Sequence, residues 1–289
     1  MQKLGEAEVM ADAGVKNILL TFNVVGQHKL ERLAALALRT NISVVADSEA
    51  VIEGLSRAGQ MAGRDISVLV QCDTGAGRNG MQSPEAAVGL TKLIHSTKDV
   101  SYGGLMTYPG KRFAADEFLT RARELATHAG LKTDVINSGG SPDMWKDDGL
   151  SNVTEYRAGT YIYFDRSLAE RGVCTYEDCS LTVLSTVVSC PTGDRALIDA
   201  GSKALTSDLL GLSGYGIVQE LDFAKVYNVN EEHGYLYISA VKNKPRVVDL
   251  VRIVPNHVCP VTNLFDKVVF ARGKEVLGAV NVDARGKVQ

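Results

Sequence analysis

At 289 residues, with 45% hydrophobic and 22% charged side chains, the chain has an ordinary globular composition and the length of two domains, or of one barrel with an appendage. A formal net charge of −3 and the lack of any basic run argue against a nucleic-acid partner, and no apolar stretch reaches the roughly 18 residues that a membrane helix needs. The five cysteines are odd in number and scattered, which excludes a disulfide framework. MQKLGEAEVM has no apolar signal core, so a reducing, cytoplasmic compartment is expected, with Cys72, Cys174, Cys179 and Cys190 as small buried hydrophobes.

In chain order, NILLTFN (17–23) reads as a strand, and HKLERLAALALRT (28–40) carries apolar residues at helical spacing. ISVVAD (42–47) is a strand, followed by a helix from Ser48 through Ala62. ISVLVQCD (66–73) is another strand, then the glycine-rich turn TGAGRNG, then a helix opened by Ser83-Pro84-Glu85. SYGGLMTY (101–108) and a helix over about 114–129 repeat the unit, and TDVIN (133–137) and NVTEY (152–156) are shorter strands. Apolar strands alternating with helices are the mark of parallel βα units. About six such strands favour a β/α barrel over an open sheet, short of the full eight.

Beyond about Arg171 the texture changes. CSLTVLSTVVSC, DRALIDAG, DFAKVYNV, GYLYISAV and VDLVRIVP are β-branched runs separated by Gly, Pro, Asn and Asp, and a last hairpin turns at Arg272-Gly273. The expected organisation is a β/α domain over 1–170 and an antiparallel β domain over 171–289.

Chemistry in a β/α barrel collects at the C-terminal ends of the strands. Four segments hold suggestive residues. In CDTGAGRNG, Arg78 offers a fork of donors to an anionic oxygen, or the segment is only a tight turn. Ser138-Gly139-Gly140-Ser141 precedes an expected helix start at Pro142-Asp143, where backbone N–H groups suit a phosphate, although Gly/Ser loops are mostly just loops. Arg157 ends the strand of TEYRAGTY, and donors from Gly159 to Tyr161 could complete a phosphate cup, or the segment is a strand end with an exposed arginine and packed tyrosines. His257 and Cys259, in PNHVCPVTNL, are two residues apart; on a strand they share a face and could point at one ion. Imidazole with thiolate favours zinc, against a purely structural role for the pair. His28, His95, His128 and His233 suit helix surfaces or a turn.

Together, CDTGAGRNG, SGGSP, EYRAGTY, DAGSKALTSD (199–208) and PNHVCPVTNL resemble the D-threonine aldolase and D-serine dehydratase family, over nearly the whole chain. The resemblance implies an α/β fold of the alanine racemase type, an incomplete TIM-type barrel followed by an antiparallel β domain. It implies pyridoxal 5'-phosphate (PLP) and a divalent metal as cofactors, with zinc favoured and manganese or magnesium open. It implies a small D-amino acid as substrate and a homodimer as the working form. Arg78 matches an arginine that reaches the cofactor's phenolic oxygen, and Ser138, Gly139, Gly140 and Ser141 match a phosphate loop together with Gly159 and Thr160. Arg157 matches the residue near the pyridine nitrogen, Tyr108 an aromatic residue at the rim, and His257 and Cys259 the metal ligands. The H-x-C motif is the most specific piece, because simple racemases of this fold lack it.

The implied activity is that of a lyase on D-β-hydroxy-amino acids, a D-threonine aldolase type, with a D-serine dehydratase type or a non-catalytic remnant as alternatives. Relatives carry their PLP-binding lysine in an R-P-H-x-K-x-H-K segment ahead of the stretch matching QKLGEAEVMADAG, so the chain as given is expected to lack turnover and a longer form to have it. Lys111 is a conceivable substitute, at a position where dehydratase relatives often carry histidine.

Overall fold

The structure is a computed structural model that describes residues 1–108, 110, 112–146 and 151–289. Lys111 lies outside the described residues. The chain forms two compact units, Met1–Ala158 with Lys287–Gln289, and Gly159–Gly286. The texture change near Arg171 comes later than this division for a physical reason. Phe164, Ala169, Cys174 and Tyr176 pack against Cys179, Ile217 and Val254, so the segment after Gly159 is anchored to the second unit's strands.

The first unit runs α1 (Leu4–Asp12), β1 (Asn17–Leu20), α2 (Gln27–Ala37), β2 (Asn41–Ala46), α3 (Glu49–Ala62), β3 (Ile66–Cys72), α4 (Pro84–Ser96), β4 (Val100–Thr107), α5 (Arg112–His128), β5 (Ile136–Ser138) and β6 (Glu155–Tyr156). The six strands form one sheet in sequential order, every pairing parallel. This is the expected incomplete β/α barrel. Its main core lies between sheet and helices, where Leu20, Leu33, Leu36, Ile52, Leu55, Val68, Ile94 and Leu119 are buried. A smaller cluster of Val45, Leu69 and Met106 covers the opposite face. Burial on both faces explains why these strands read as continuous apolar runs rather than as alternations. The Ser83 hydroxyl accepts the N–H of Ala86, and Pro84 fills the first helical position of α4, as its sequence signature implied.

A cavity of about 570 Å³ opens beside the β1 and β6 edges, lined among others by Leu19, Ser43, Leu69, Asn137, Glu155 and Arg157. Among the described residues no helix is long and apolar enough to cross a membrane.

The second unit runs α6 (Arg166–Ala169), β7 (Val183–Thr192), β8 (Arg195–Ile198), α7 (Ser202–Leu205), β9 (Gly216–Val218), β10 (Ala224–Val229), β11 (Gly234–Tyr237), β12 (Leu250–Pro255), α8 (Val258–Leu264), β13 (Lys267–Arg272) and β14 (Glu275–Asn281). Six of these strands close into an antiparallel barrel in the order β10-β11-β8-β7-β12-β9, filled by Val187, Ile198, Val218, Val226, Leu236 and Ile253. β13 and β14 form a separate hairpin turned at Gly273.

The expectation for the cysteines needs one correction. Cys72 and Cys179 are buried, and burial pushes each thiol up to about 12, but Cys190 is exposed and Cys174 only half-buried.

Candidate functional site

In the first unit the C-terminal strand ends gather Asp73, Arg78, Tyr108, Ser138 to Ser141 and Arg157. The turn after β3 is organised by Asp73, whose Oδ1 accepts the N–H groups of Gly75, Ala76 and Gly77 at 3.0, 2.9 and 3.2 Å. Partial burial alone would raise this carboxyl. The N–H groups of Gly75, Gly77 and Ala76 and the side chain of Gln82 outweigh it and hold the pKa below the usual carboxylate range. So the loop that the glycine pattern marked is built around an acid whose part the sequence did not single out. Arg78, carried by this turn, stacks its guanidinium over the Tyr108 ring at 4.7 Å from the centroid.

Ser138 ends β5, and the loop that follows is gripped between two tyrosines. Gly139 has φ +88°, and a Cβ placed there would come within 2.1 Å of the Tyr156 ring. Only glycine meets both conditions, the left-handed backbone and the ring lying on the main chain. The Tyr156 hydroxyl donates to Gly140 O at 3.0 Å, and a Cβ on Gly140 would lie 3.3 Å from the Tyr108 ring. Ser141 begins a single 3-10 turn, Ser141–Asp143, where the sequence implied a helix start.

Arg157 is fastened by its backbone, whose N–H donates to Ser138 O at 3.1 Å, and by Nη2, which donates to Thr107 O at 2.8 Å. Thr107 in turn donates its hydroxyl to Cys72 O at 2.9 Å and meets the Thr74 hydroxyl at 2.9 Å. Burial lowers the Arg157 pKa to about 10, with Arg78 adding repulsion against the pull of Tyr108 and Glu155. At neutral pH it remains a cation. Among the described residues its Nη1 is buried without a partner, and so are Ser138 Oγ and Asn137 Oδ1. Buried polar atoms are nearly always satisfied, so these three orphans, at the ends of two adjacent strands, make this a candidate site for a polar ligand. Arg157 Nη1 needs an acceptor, and Ser138 Oγ can take either role.

Gly159 and Thr160 belong to the second unit, where Thr160 opens a short 3-10 turn, Thr160–Ile162. The Thr160 hydroxyl lies 3.7 Å from Cys259 Sγ, so its described contact is with the candidate metal ligand.

His257 and Cys259 are brought together, although not on a strand. β12 ends at Pro255, His257 is the N-cap of α8 with extended backbone, and Cys259 is the second residue of that helix. The shared strand face is therefore corrected to a strand-to-helix turn. The turn is locked from beneath. Buried Asp165 accepts the Val258 N–H at 3.1 Å through Oδ2, and the Leu168 N–H and Ser167 hydroxyl through Oδ1. Asn256 donates to Gly214 O at 2.7 Å and accepts from Arg166 at 3.2 Å. His257 Nδ1 meets Asp208 Oδ2 at 2.7 Å. Burial would lower the imidazole pKa, but hydrogen bonds to Cys259 and Asp208 lift it to about 9, and the same bond from His257 lowers the Cys259 thiol.

Sequence reading missed Asp208, Asp165 and Asn256. The only signals were the asparagine inside PNHVC and the terminal aspartate of DAGSKALTSD. No group of three or more metal-binding side chains occurs among the described residues.

A family profile described as "Alanine racemase, N-terminal domain" matches residues 1–167, and one described as "Putative serine dehydratase domain" matches 180–271. The chain is 31% identical to the D-threonine aldolase of an Arthrobacter species over 302 residues, 99% of this chain and 78% of that one. It belongs to the D-threonine aldolase and D-serine dehydratase family. The fold agrees. The crystal structure of D-threonine aldolase from Filomicrobium marinum matches with a TM-score of 0.86 at 30% identity, covering 100% of this chain and 82% of that one. A D-threo-3-hydroxyaspartate dehydratase, solved as a cysteine-to-alanine variant in a metal-free form, matches at 0.83 and 26% identity, covering 97% and 83%. The family members that this chain resembles are lyases, some aldolases and some dehydratases.

Proposed function

We propose that this protein is a PLP- and divalent-metal-dependent lyase that cleaves D-β-hydroxy-amino acids between Cα and Cβ, giving glycine and an aldehyde, as D-threonine aldolases do. The observation that carries the reading is the side-by-side placement of the His257 imidazole and the Cys259 sulfur, two donor types that hold zinc. Simple racemases of this fold have no use for it.

The residues present fit both groups. For PLP, the orphaned Ser138 Oγ, with the backbone of Gly139, Gly140 and Ser141, would hold the phosphate. Arg157 Nη1 would face the ring nitrogen; an arginine only donates, so that nitrogen would stay unprotonated. Arg78, steadied on Tyr108, would face the phenolic oxygen. PLP supplies the electron sink that the bond cleavage needs. For the metal, His257 and Cys259 suit zinc by softness, with manganese and magnesium to be compared. A bound ion would act as a Lewis acid on the substrate's β-hydroxyl. The working form is taken to be a homodimer, and sedimentation of the active protein checks it.

A second reading rests on the serine dehydratase profile over 180–271. In that case the Cα proton leaves and the β-hydroxyl is expelled, giving ammonia and a keto acid. Product analysis separates the two. With D-threonine, PLP and zinc, glycine and acetaldehyde are expected from the protein carrying its PLP-binding lysine. Ammonia and 2-oxobutyrate would move the assignment to the dehydratase. Full turnover after chelation would remove the metal. Borohydride reduction with PLP, followed by intact mass and peptide mapping, locates the lysine. No labelling in this chain or in any longer chain from its reading frame would remove PLP catalysis.

A further inference from the structure

We propose that Asp208 is the positioning residue of the metal centre, deciding which nitrogen of His257 meets the ion. The inference rests on the metal reading above.

The main chain at His257 is already fixed, because Asp165 binds the Val258 N–H and Asn256 is tied to Gly214 and Arg166. What stays free is the orientation of the imidazole ring and the choice of tautomer. Asp208 Oδ2, 2.7 Å from Nδ1, settles both. A carboxylate can only accept, so Nδ1 carries the proton. In the neutral ring Nε2 then holds the lone pair, and it is the nitrogen available to an ion.

Asp208 is itself held on purpose-built backbone. Its second oxygen accepts the Leu210 N–H at 3.3 Å, and its own N–H donates to the Thr206 hydroxyl at 3.3 Å. Thr206 and Leu210, neither of them glycine, have φ of +63° and +47°. Such conformations persist only where the surroundings over-determine them, and they cluster at functional sites. Two of them bracket the carboxylate that faces His257. The partner is 49 residues from the histidine in sequence, so the bond is a product of the fold and not of local spacing. A carboxylate behind a ligating imidazole orients the ring and raises its basicity, and loss of such a partner typically weakens metal binding about 10- to 100-fold.

The test uses the full chain without PLP. Zinc affinity is measured by competition with a chromophoric chelator, and the cobalt-substituted protein is followed by its d–d absorption. Asp208→Ala is expected to bind zinc about 10- to 100-fold more weakly. The cobalt bands should shift while the sulfur-to-cobalt transition from Cys259 persists. Asp208→Glu should recover most of the affinity. Asp208→Asn, whose carbonyl can still accept from Nδ1, should fall between, and it carries the test if the alanine variant does not fold. Metal-free melting should change little. Unchanged zinc affinity and cobalt bands in the variants would overturn the inference, as would weakened binding fully matched by loss of metal-free stability. Wild-type protein that takes up neither ion would overturn the metal reading itself, a result distinct from either of these.

Discussion

The two candidate sites, one in each unit, are prepared in opposite ways. At the strand ends of the first unit, buried polar atoms are left without partners: Ser138 Oγ, Asn137 Oδ1 and Arg157 Nη1. In the second unit, His257 and Cys259 are satisfied by each other, by Asp208 and by Thr160. An unpaired buried donor costs free energy until a ligand arrives, so the first site stores a demand for one. The second site keeps its donors paired, and on the proposed metal reading an ion bound there would take the place of the His257–Cys259 contact. The first should therefore gain stability from its ligand, and the second should respond mainly in ligand affinity and activity.

The largest effect is expected where a ligand atom is removed outright. His257→Ala or Cys259→Ala should weaken zinc binding beyond the roughly 10- to 100-fold attributed to outer partners, and abolish metal-dependent turnover. Calorimetric titration with zinc reads this directly; near-normal affinity in either variant would break the two-site picture. Next is Gly139→Ala. A left-handed backbone for a residue with a Cβ costs about 1–3 kcal/mol, and this Cβ also collides with the Tyr156 ring. Noncovalent PLP retention, followed by cofactor fluorescence, should fall about 10- to 100-fold, while zinc affinity stays unchanged. A parallel loss of zinc would show that the two preparations are not separate.

Asp73→Ala comes third. Three N–H groups lose their acceptor, at a cost of about 1–2 kcal/mol. The pH dependence has a definite sign. Asp73 has a lowered folded pKa, so its contribution is complete above the unfolded carboxylate value and fades as pH falls through the folded one. The stability gap between wild type and variant should be constant near neutrality and close only in acid. A gap that closes on the alkaline side instead would rule out the carboxylate as its source.

Much of the first unit was legible because its strands are buried on both faces, so that ISVLVQC stands out from its helical neighbours and matches β3, Ile66–Cys72. The glycine loops were legible as loops, since Gly139 is needed for its backbone. What they wrap around was not: Tyr156 read as a packed tyrosine because nothing local shows its ring lying on Gly139. PNHVC was legible as two side chains that could meet but was misplaced on a strand, since the apolar run into Pro255 hides the chain's turn at Asn256 into α8. β9 was missed because three residues carry no pattern, and Asp208 because its meaning lies in a contact across 49 positions. Closure of the β10-β11-β8-β7-β12-β9 barrel is a matter of register, which composition does not encode.

The smallest effect sharpens the comparison most. Tyr156 makes two contributions to the Gly139-Gly140 loop, a ring that covers Gly139 and a hydroxyl that donates to Gly140 O. Tyr156→Phe removes only the second. The residue is exposed, so water can replace the lost donor, and the cost should sit near the lower end of the 0.5–1.5 kcal/mol typical of one hydrogen bond. PLP retention should then weaken by no more than about fivefold. Tyr156→Ala removes the ring as well and frees the loop to leave its left-handed turn, so it should approach Gly139→Ala. If Phe and Ala weaken PLP equally, the hydroxyl holds the loop and the ring is incidental. If Phe is neutral and Ala costly, the shape of the Gly139-Gly140 loop is set by a flat ring pressed on a glycine, and the hydroxyl is incidental.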